Sequence, residues 1–276
     1  MPSPIVHPPS SLFLAGPTAV GKSNVALLLA ERLGGEIIAV DSMQVYRGLD
    51  IGTAKPTAQE QQRVPHHLVD VVEWTEPFDA AQFVRLARVA KGEIQARGRV
   101  AIFCGGTGLY FKAFLEGLGA APPVDPGLRS ELEATALGDL LRELQNRDPI
   151  AFETIDRQNP RRVIRAIEVI RLTGKPLSTQ RATWGKKGAA PPSVGFYGLE
   201  RGATDLQARI DVRVDWMFAH GLVEETKGLL ARGLEQNRTA AQAIGYRQVL
   251  EYLRGQRSLS ETIALVKIRT RQSACQ

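Results

Sequence analysis

The chain has 276 residues, 43% apolar and 23% charged, with 26 glycines, 16 prolines and two cysteines. That is enough chain to bury a core without staples, and it carries no biased tract, which excludes a disordered or fibrous protein. The apolar runs are far shorter than the roughly 20 residues of a membrane helix, Cys104 and Cys275 have no metal-ligand spacing, and the N-terminus has no basic and apolar leader pattern; a soluble, reduced, cytoplasmic protein is expected. Residues 1–120 carry equal numbers of basic and acidic side chains, so the whole surplus of +6 falls in residues 121–276.

Residues 11–15 form a short apolar run ending at Gly16, and a helical stretch over 22–32 closes at Gly34-Gly35. Residues 36–41 (EIIAVD) and 99–104 (RVAIFC) read as buried strands. Between them, 78–97 has helical spacing with Phe83, Leu86, Val89, Ala90 and Ile94 on one face. Such alternation predicts an α/β fold with a parallel sheet covered on both faces. Residues 120–127 are rich in proline and glycine and mark a boundary. From 128 to 183 nearly everything suits helix; Asn159-Pro160 reads as N-cap and first helical position, with Gly174 as the stop. A loop over 185–193, a strand over 194–199 and helices from 204 onward complete the chain, the last opened by a capping box at Ser258 and Glu261. The expected architecture is an α/β core of residues 1–120 plus about 190–276, with a helical insertion over about 121–189. Within it, residues 157–187 hold nine basic side chains against one acid, Glu168; they suit either a polyanion partner or a solvated helix face.

Gly16, Pro17, Thr18, Ala19, Val20, Gly21, Lys22 and Ser23 match G-x-x-x-x-G-K-[ST] between a strand and a helix. Backbone N–H groups of such a loop wrap phosphate oxygens at a helix N-terminus; the lysine reaches the terminal phosphate and the Ser23 hydroxyl can ligate Mg²⁺. The motif implies a diphosphate or triphosphate without choosing one. Asp41, closing its strand, suits a magnesium-holding carboxylate or a general base over the same cleft, and a structural role is the third reading. The 105–110 segment (GGTGLY) joins a strand to a helix and aims Thr107 at that crevice, unless it is an ordinary tight turn. His66 and His67 are adjacent, with no Cys or third His nearby, and read as structural. Trp74, Trp184 and Trp216 are scattered and read as core, with Trp184 also able to stack on a base.

Several blocks together resemble the tRNA dimethylallyltransferases: 16–23 (GPTAVGKS), 41–46 (DSMQVY), 50–56 (DIGTAKP), 65–70 (PHHLVD), 105–110 (GGTGLY), 159–165 (NPRRVIR) and 244–248 (IGYRQ). The resemblance implies a P-loop α/β core and transfer of a dimethylallyl group from dimethylallyl diphosphate to N6 of the adenosine 3′ of the anticodon, with Mg²⁺ as cofactor and ATP-binding by family convention. Lys22, Ser23 and Arg213 would clamp the leaving diphosphate. Asp41 would take the amine proton and Thr107 would hold the adenine or the departing oxygen. Asp41, Ser42, Met43, Gln44, Thr107, Arg129, Asn159, Pro160, Arg161, Arg162, Val163, Ile244, Gly245, Tyr246, Arg247 and Gln248 correspond to segments that contact the tRNA anticodon stem-loop. The implied enzyme is a cytoplasmic monomer without membrane contact. In place of the family's basic, aromatic tail the chain runs KIRTRQSACQ over 267–276, a departure that bears on tRNA affinity rather than on chemistry.

Overall fold

The computed structural model describes residues 10–119, 121–180, 195–237 and 239–274. In chain order the elements are β1 (Ser11–Ala15), α1 (Lys22–Leu33), β2 (Gly35–Val40), α2 (Ala58–Arg63), β3 (His66–His67), α3 (Ala80–Ala96), β4 (Val100–Gly105) and α4 (Gly108–Glu116). Five helices follow: α5 (Pro126–Ala134), α6 (Leu137–Arg147), α7 (Pro149–Thr154), α8 (Pro160–Thr173) and α9 (Leu177–Gln180). The chain then forms β5 (Gly195–Gly198), α10 (Ala203–Ala219), α11 (Leu222–Ala231), two short 3₁₀ turns, α12 (Tyr246–Leu253) and α13 (Leu259–Ala274). Two compact units result, one of Met1–Phe111 with Pro191–Gln276 and one of Lys112–Ala190.

The first unit is built on a parallel sheet ordered β3-β2-β4-β1-β5. Its central strands are continuous apolar runs because helices cover both faces: every residue of β2 is buried, as are Leu12, Phe13 and Leu14 of β1 and Val100–Phe103 of β4. Phe13 stacks on Phe103 at 4.5 Å between ring centres. At the C-terminal end of the sheet Gly105 lies against Val40, where any Cβ would stand 2.0 Å from the Val40 carbonyl oxygen. That close approach brings the β2 and β4 exits together. A second core lies under the 43–54 segment, where Val45, Tyr46 and Leu49 pack with Leu222, Leu229, Tyr246 and Val249.

Several expectations need correction. Helix α3 turns Phe83, Val84, Ala87, Ala90 and Ile94 inward, so Val89 is exposed rather than on the buried face; the helix begins at the capping box of Asp79 and Gln82, which sets its rotation. His66 and His67, read from the sequence as structural, form the edge strand β3. His67 Nε2 lies 2.6 Å from buried Glu36, which also accepts from Arg97. Pro160 does open α8, and Gly174 closes it in the left-handed conformation, but the Asn159 side chain makes no capping bond. The capping box at Ser258 and Glu261 is present. Strand β5 begins at Gly195; Val194, the 185–193 loop, Trp184 and Cys275 lie outside the described residues. Among the described residues no helix is long and apolar enough to cross a membrane.

The helical unit has its own core of Leu132, Leu140, Leu144, Val163 and Ile167, with Asp148 capping α7 and bonding the Ser178 N–H. Glu168, fully buried, accepts from the Asp125 N–H, Arg129 and Arg165. Arg171 bridges Glu131 and Glu143, and those partners hold its guanidinium more firmly protonated than usual. Part of the basic surplus therefore ties these helices together. Within 157–187, Arg165 is paired with Glu168 three residues on and Arg171 with Glu131 and Glu143 from outside the stretch, so these two are neither simply solvated nor unpaired, while Arg181, Lys186 and Lys187 lie outside the described residues.

Candidate active site

The phosphate loop follows β1 and ends at the first residue of α1, and three of its residues have left-handed backbones: Gly16 at φ 155°, Ala19 at 62° and Gly21 at 106°. A side chain at Gly16 would also meet the Leu199 carbonyl oxygen at 2.6 Å, so both glycines of the motif are required by geometry. The loop curls until the Lys22 ammonium donates to the Pro17 carbonyl at 2.6 Å. Val20 is buried against Leu206, Ile210 and Val214 of α10, which holds that helix beside the loop.

Between the loop and α10 opens a cavity of about 570 Å³ lined by Gly21, Lys22, Ser23, Arg209, Arg213 and Trp216 among others. Burial holds Lys22 below its ordinary ammonium value; the Arg213 charge acts in the same direction, while Cys104 and Asp41 oppose it. Arg213 is likewise depressed by burial and supported by Asp41. Two half-buried cations thus face one cleft with one carboxylate near both, an arrangement that costs energy until an anion arrives. The Cys104 thiol, near the end of β4, is pushed up to about 11 by burial, so it stays neutral rather than acting as a nucleophile.

Asp41 follows β2 directly. Its Oδ1 accepts from the Met43 and Gln44 N–H groups at 2.8 and 3.2 Å, which fixes the carboxyl plane at the strand exit. Thr107 is tethered to the same exit by its N–H bond to the Val40 carbonyl. Ser42 and Met43 are half-buried beside Asp41. Gln44 donates to the Thr53 and Ala54 carbonyls. The 50–56 segment is held by Lys55, which reaches the Tyr46 carbonyl, Asp50 and Asp70, and by Glu225, which accepts from the Ile51 N–H and from Tyr246 Oη at 2.6 Å. The DIGTAKP and PHHLVD blocks therefore brace the loop that carries Asp41.

The other sequence-selected residues separate by exposure. Arg161, Arg162 and Arg247 are exposed, and Pro160 and Ile244 also reach the surface. Val163, Gly245, Tyr246 and Gln248 are buried. Tyr246 packs against Gly52 and Gln248 accepts from the Gly245 N–H, so these side chains serve packing and capping. Arg129 is held on Glu168 and Glu133, and Asn159 is half-buried at the start of α8. Sequence reading missed Arg201 and Arg209, which bond the loop carbonyls, and treated Trp216 as core although it lines the cavity, 47% exposed. Arg209 and Trp216 stand four before and three after Arg213, so the helical repeat alone could have placed them on its face.

A phosphate-loop motif at the C-terminal end of a parallel sheet, with two basic residues lining its cavity, defines a P-loop-type α/β protein. The chain belongs to the IPP transferase family, whose sequence profile matches residues 44–275; the Isopentenyl transferase profile matches residues 10–72. A tRNA dimethylallyltransferase 1 of Trichlorobacter lovleyi is 47% identical over 270 residues, covering 96% of this chain and 88% of the relative. A tRNA dimethylallyltransferase of Geobacter metallireducens is 45% identical, covering 95% and 86%. Among solved structures, the full-length tRNA isopentenylpyrophosphate transferase of Bacillus halodurans matches with a TM-score of 0.67 and 40% identity, covering 96% of this chain and 84% of that one. A eukaryotic dimethylallyltransferase acting on tRNA gives a TM-score of 0.78 at 30% identity, covering 96% and 67%.

Proposed function

We propose that this chain transfers a dimethylallyl group from dimethylallyl diphosphate to N6 of adenosine 37 of tRNA, beside the anticodon, releasing diphosphate. The observation that carries the reading is the cavity lined by half-buried Lys22 and Arg213 with Asp41 near both. As the allylic C–O bond breaks, its electron pair leaves on the diphosphate; the loop N–H groups, Lys22 and Arg213 stabilise that charge. The N6 lone pair forms the new C–N bond at C1 of the allyl group, and the displaced N6 proton passes to Asp41. Thr107, tethered beside Asp41, holds the adenine or the departing oxygen. The target base leaves the anticodon-loop stack to enter the cleft, at a cost of a few kcal/mol.

Magnesium fits the donor set. Ser23 on the cavity wall and Asp41 offer hard oxygen atoms, and magnesium is usually held by one or two such groups together with substrate phosphates. When bound it would neutralise diphosphate charge. The exposed arginines of the helical unit, Arg161 and Arg162 at the start of α8, would grip stem-loop phosphates, with Arg247 as a further contact. The test is direct. The protein is mixed with unmodified tRNA, Mg²⁺ and labelled dimethylallyl diphosphate, with ATP reactions in parallel. Label in the tRNA supports the reading; ATP turnover without label transfer overturns it.

A further inference from the structure

Arg201 lies behind the phosphate loop and does not line its cavity. It follows β5 at the edge of the sheet. The Leu199 N–H bonds the Ala15 carbonyl, and the Leu199 carbonyl crowds Gly16, so the 198–201 segment is seated on the root of the loop. From there Arg201 Nε donates to the Val20 carbonyl at 2.7 Å, while its Nη1 is pinned at 2.7 Å by Asp205 in the first turn of α10. Arg209, two turns along α10 from Arg201, donates Nε to the adjacent Ala19 carbonyl at 2.8 Å.

A peptide unit is planar and trans, so a carbonyl held on one side turns the following N–H to the other. Holding the Val20 carbonyl from the side that Arg201 occupies therefore turns the Gly21 N–H toward the cavity that Gly21 lines, where an anion would sit. The positive φ of Ala19 makes the brace necessary: a non-glycine residue in that conformation is strained, and strain of this kind persists only where neighbours hold it.

We propose that Arg201 is a positioning residue for the phosphate loop: from outside the cavity it sets the backbone N–H that receives the diphosphate, while Arg209 holds the adjacent Ala19 carbonyl from the cavity side. The proposal rests on the diphosphate reading above, and its test separates the two. The probe is inorganic diphosphate with Mg²⁺, titrated calorimetrically into wild type, Arg201→Met and Arg201→Lys, with tRNA binding and thermal melting measured on the same preparations. Loss of one charge-assisted hydrogen bond that orders the loop weakens diphosphate binding on the order of tenfold. The KM for dimethylallyl diphosphate rises accordingly, while tRNA affinity stays unchanged. Lysine keeps the charge but cannot hold Val20 and Asp205 together, so Arg201→Lys recovers only part of the loss. Full recovery by lysine would reduce the effect to charge and overturn the brace, as would unchanged diphosphate affinity in Arg201→Met. Equal losses of diphosphate and tRNA binding with a lowered melting temperature would assign Arg201 to general stability instead. If wild type itself binds no diphosphate, the functional reading fails, whatever the variants do.

Discussion

Replacing Lys22 by methionine removes one of two half-buried cations from the phosphate-loop cavity while keeping roughly the length of the side chain. The transition state gathers negative charge on the departing diphosphate, and a preorganised charge in a water-poor cleft is worth far more there than in solvent. Deleting one such group typically costs about 10²–10³ in rate, or roughly 2.7–4 kcal/mol of transition-state stabilisation. Arg213 remains, so the loss should stay within that range rather than abolish turnover. The unliganded protein should behave in the opposite sense. Burial disfavours the charged ammonium, so the folded chain holds this proton less tightly than the unfolded chain. Stability on this account rises with pH from the depressed Lys22 value up to its ordinary one. Removing the group relieves that penalty, and the melting temperature of Lys22→Met at neutral pH should equal or exceed that of wild type. The assay pairs single-turnover transfer of labelled dimethylallyl groups with thermal melting and tRNA binding. Wild-type turnover in the variant would refute the assignment of this loop to the leaving group. A large fall in melting temperature would refute the claim that Lys22 is held at a cost for its ligand.

Asp41→Asn keeps the acceptor for the Met43 and Gln44 N–H groups and removes basicity; single-turnover transfer should slow by about 10²–10⁴ with tRNA affinity intact, and rescue by raised Mg²⁺ would assign the carboxylate to the metal. Diphosphate binding should weaken as pH rises through the depressed Lys22 value, because the ligand needs the protonated form; Lys22→Arg should remove this dependence, and a decline persisting in that variant would place its source elsewhere. Arg162→Gln should flatten the slope of log tRNA affinity against log salt by up to about one unit. Arg171→Gln should leave that slope unchanged and lower the melting temperature, since Arg171 is committed to Glu131 and Glu143; a flattened slope there would show that the ion pairs open on binding.

Much of the site was legible because its chemistry is local in sequence. The phosphate loop is eight consecutive residues between a strand and a helix, and its glycine spacing reflects backbone conformations that L side chains avoid. Asp41 and Thr107 could be placed at strand exits because buried parallel strands are short apolar runs with visible ends. Arg213 was named only through family resemblance, and nothing in its sequence neighbourhood indicates a cation facing a cavity. The brace by Arg201 and Arg209 left no local signal either: it links residues about 180–190 positions apart in the chain.

By itself the sequence determined the α/β class, the phosphate loop, the helix stops at Gly34 and Gly174 and the location of the charge surplus, since each depends on short-range periodicity, backbone freedom or composition. Tertiary structure decided which arginines are free to meet a polyanion and which are spent on Glu168, Glu131 and Glu143. It also decided that Tyr246 and Gln248 are packing and capping residues and that Trp216 faces a cavity. The physical reason is common to all of these. Whether a charge or a ring is solvated, paired or buried depends on what the rest of the chain packs against it, and apart from the local pairs of Arg165 with Glu168 and Gln248 with Gly245 those partners lie tens to hundreds of residues away.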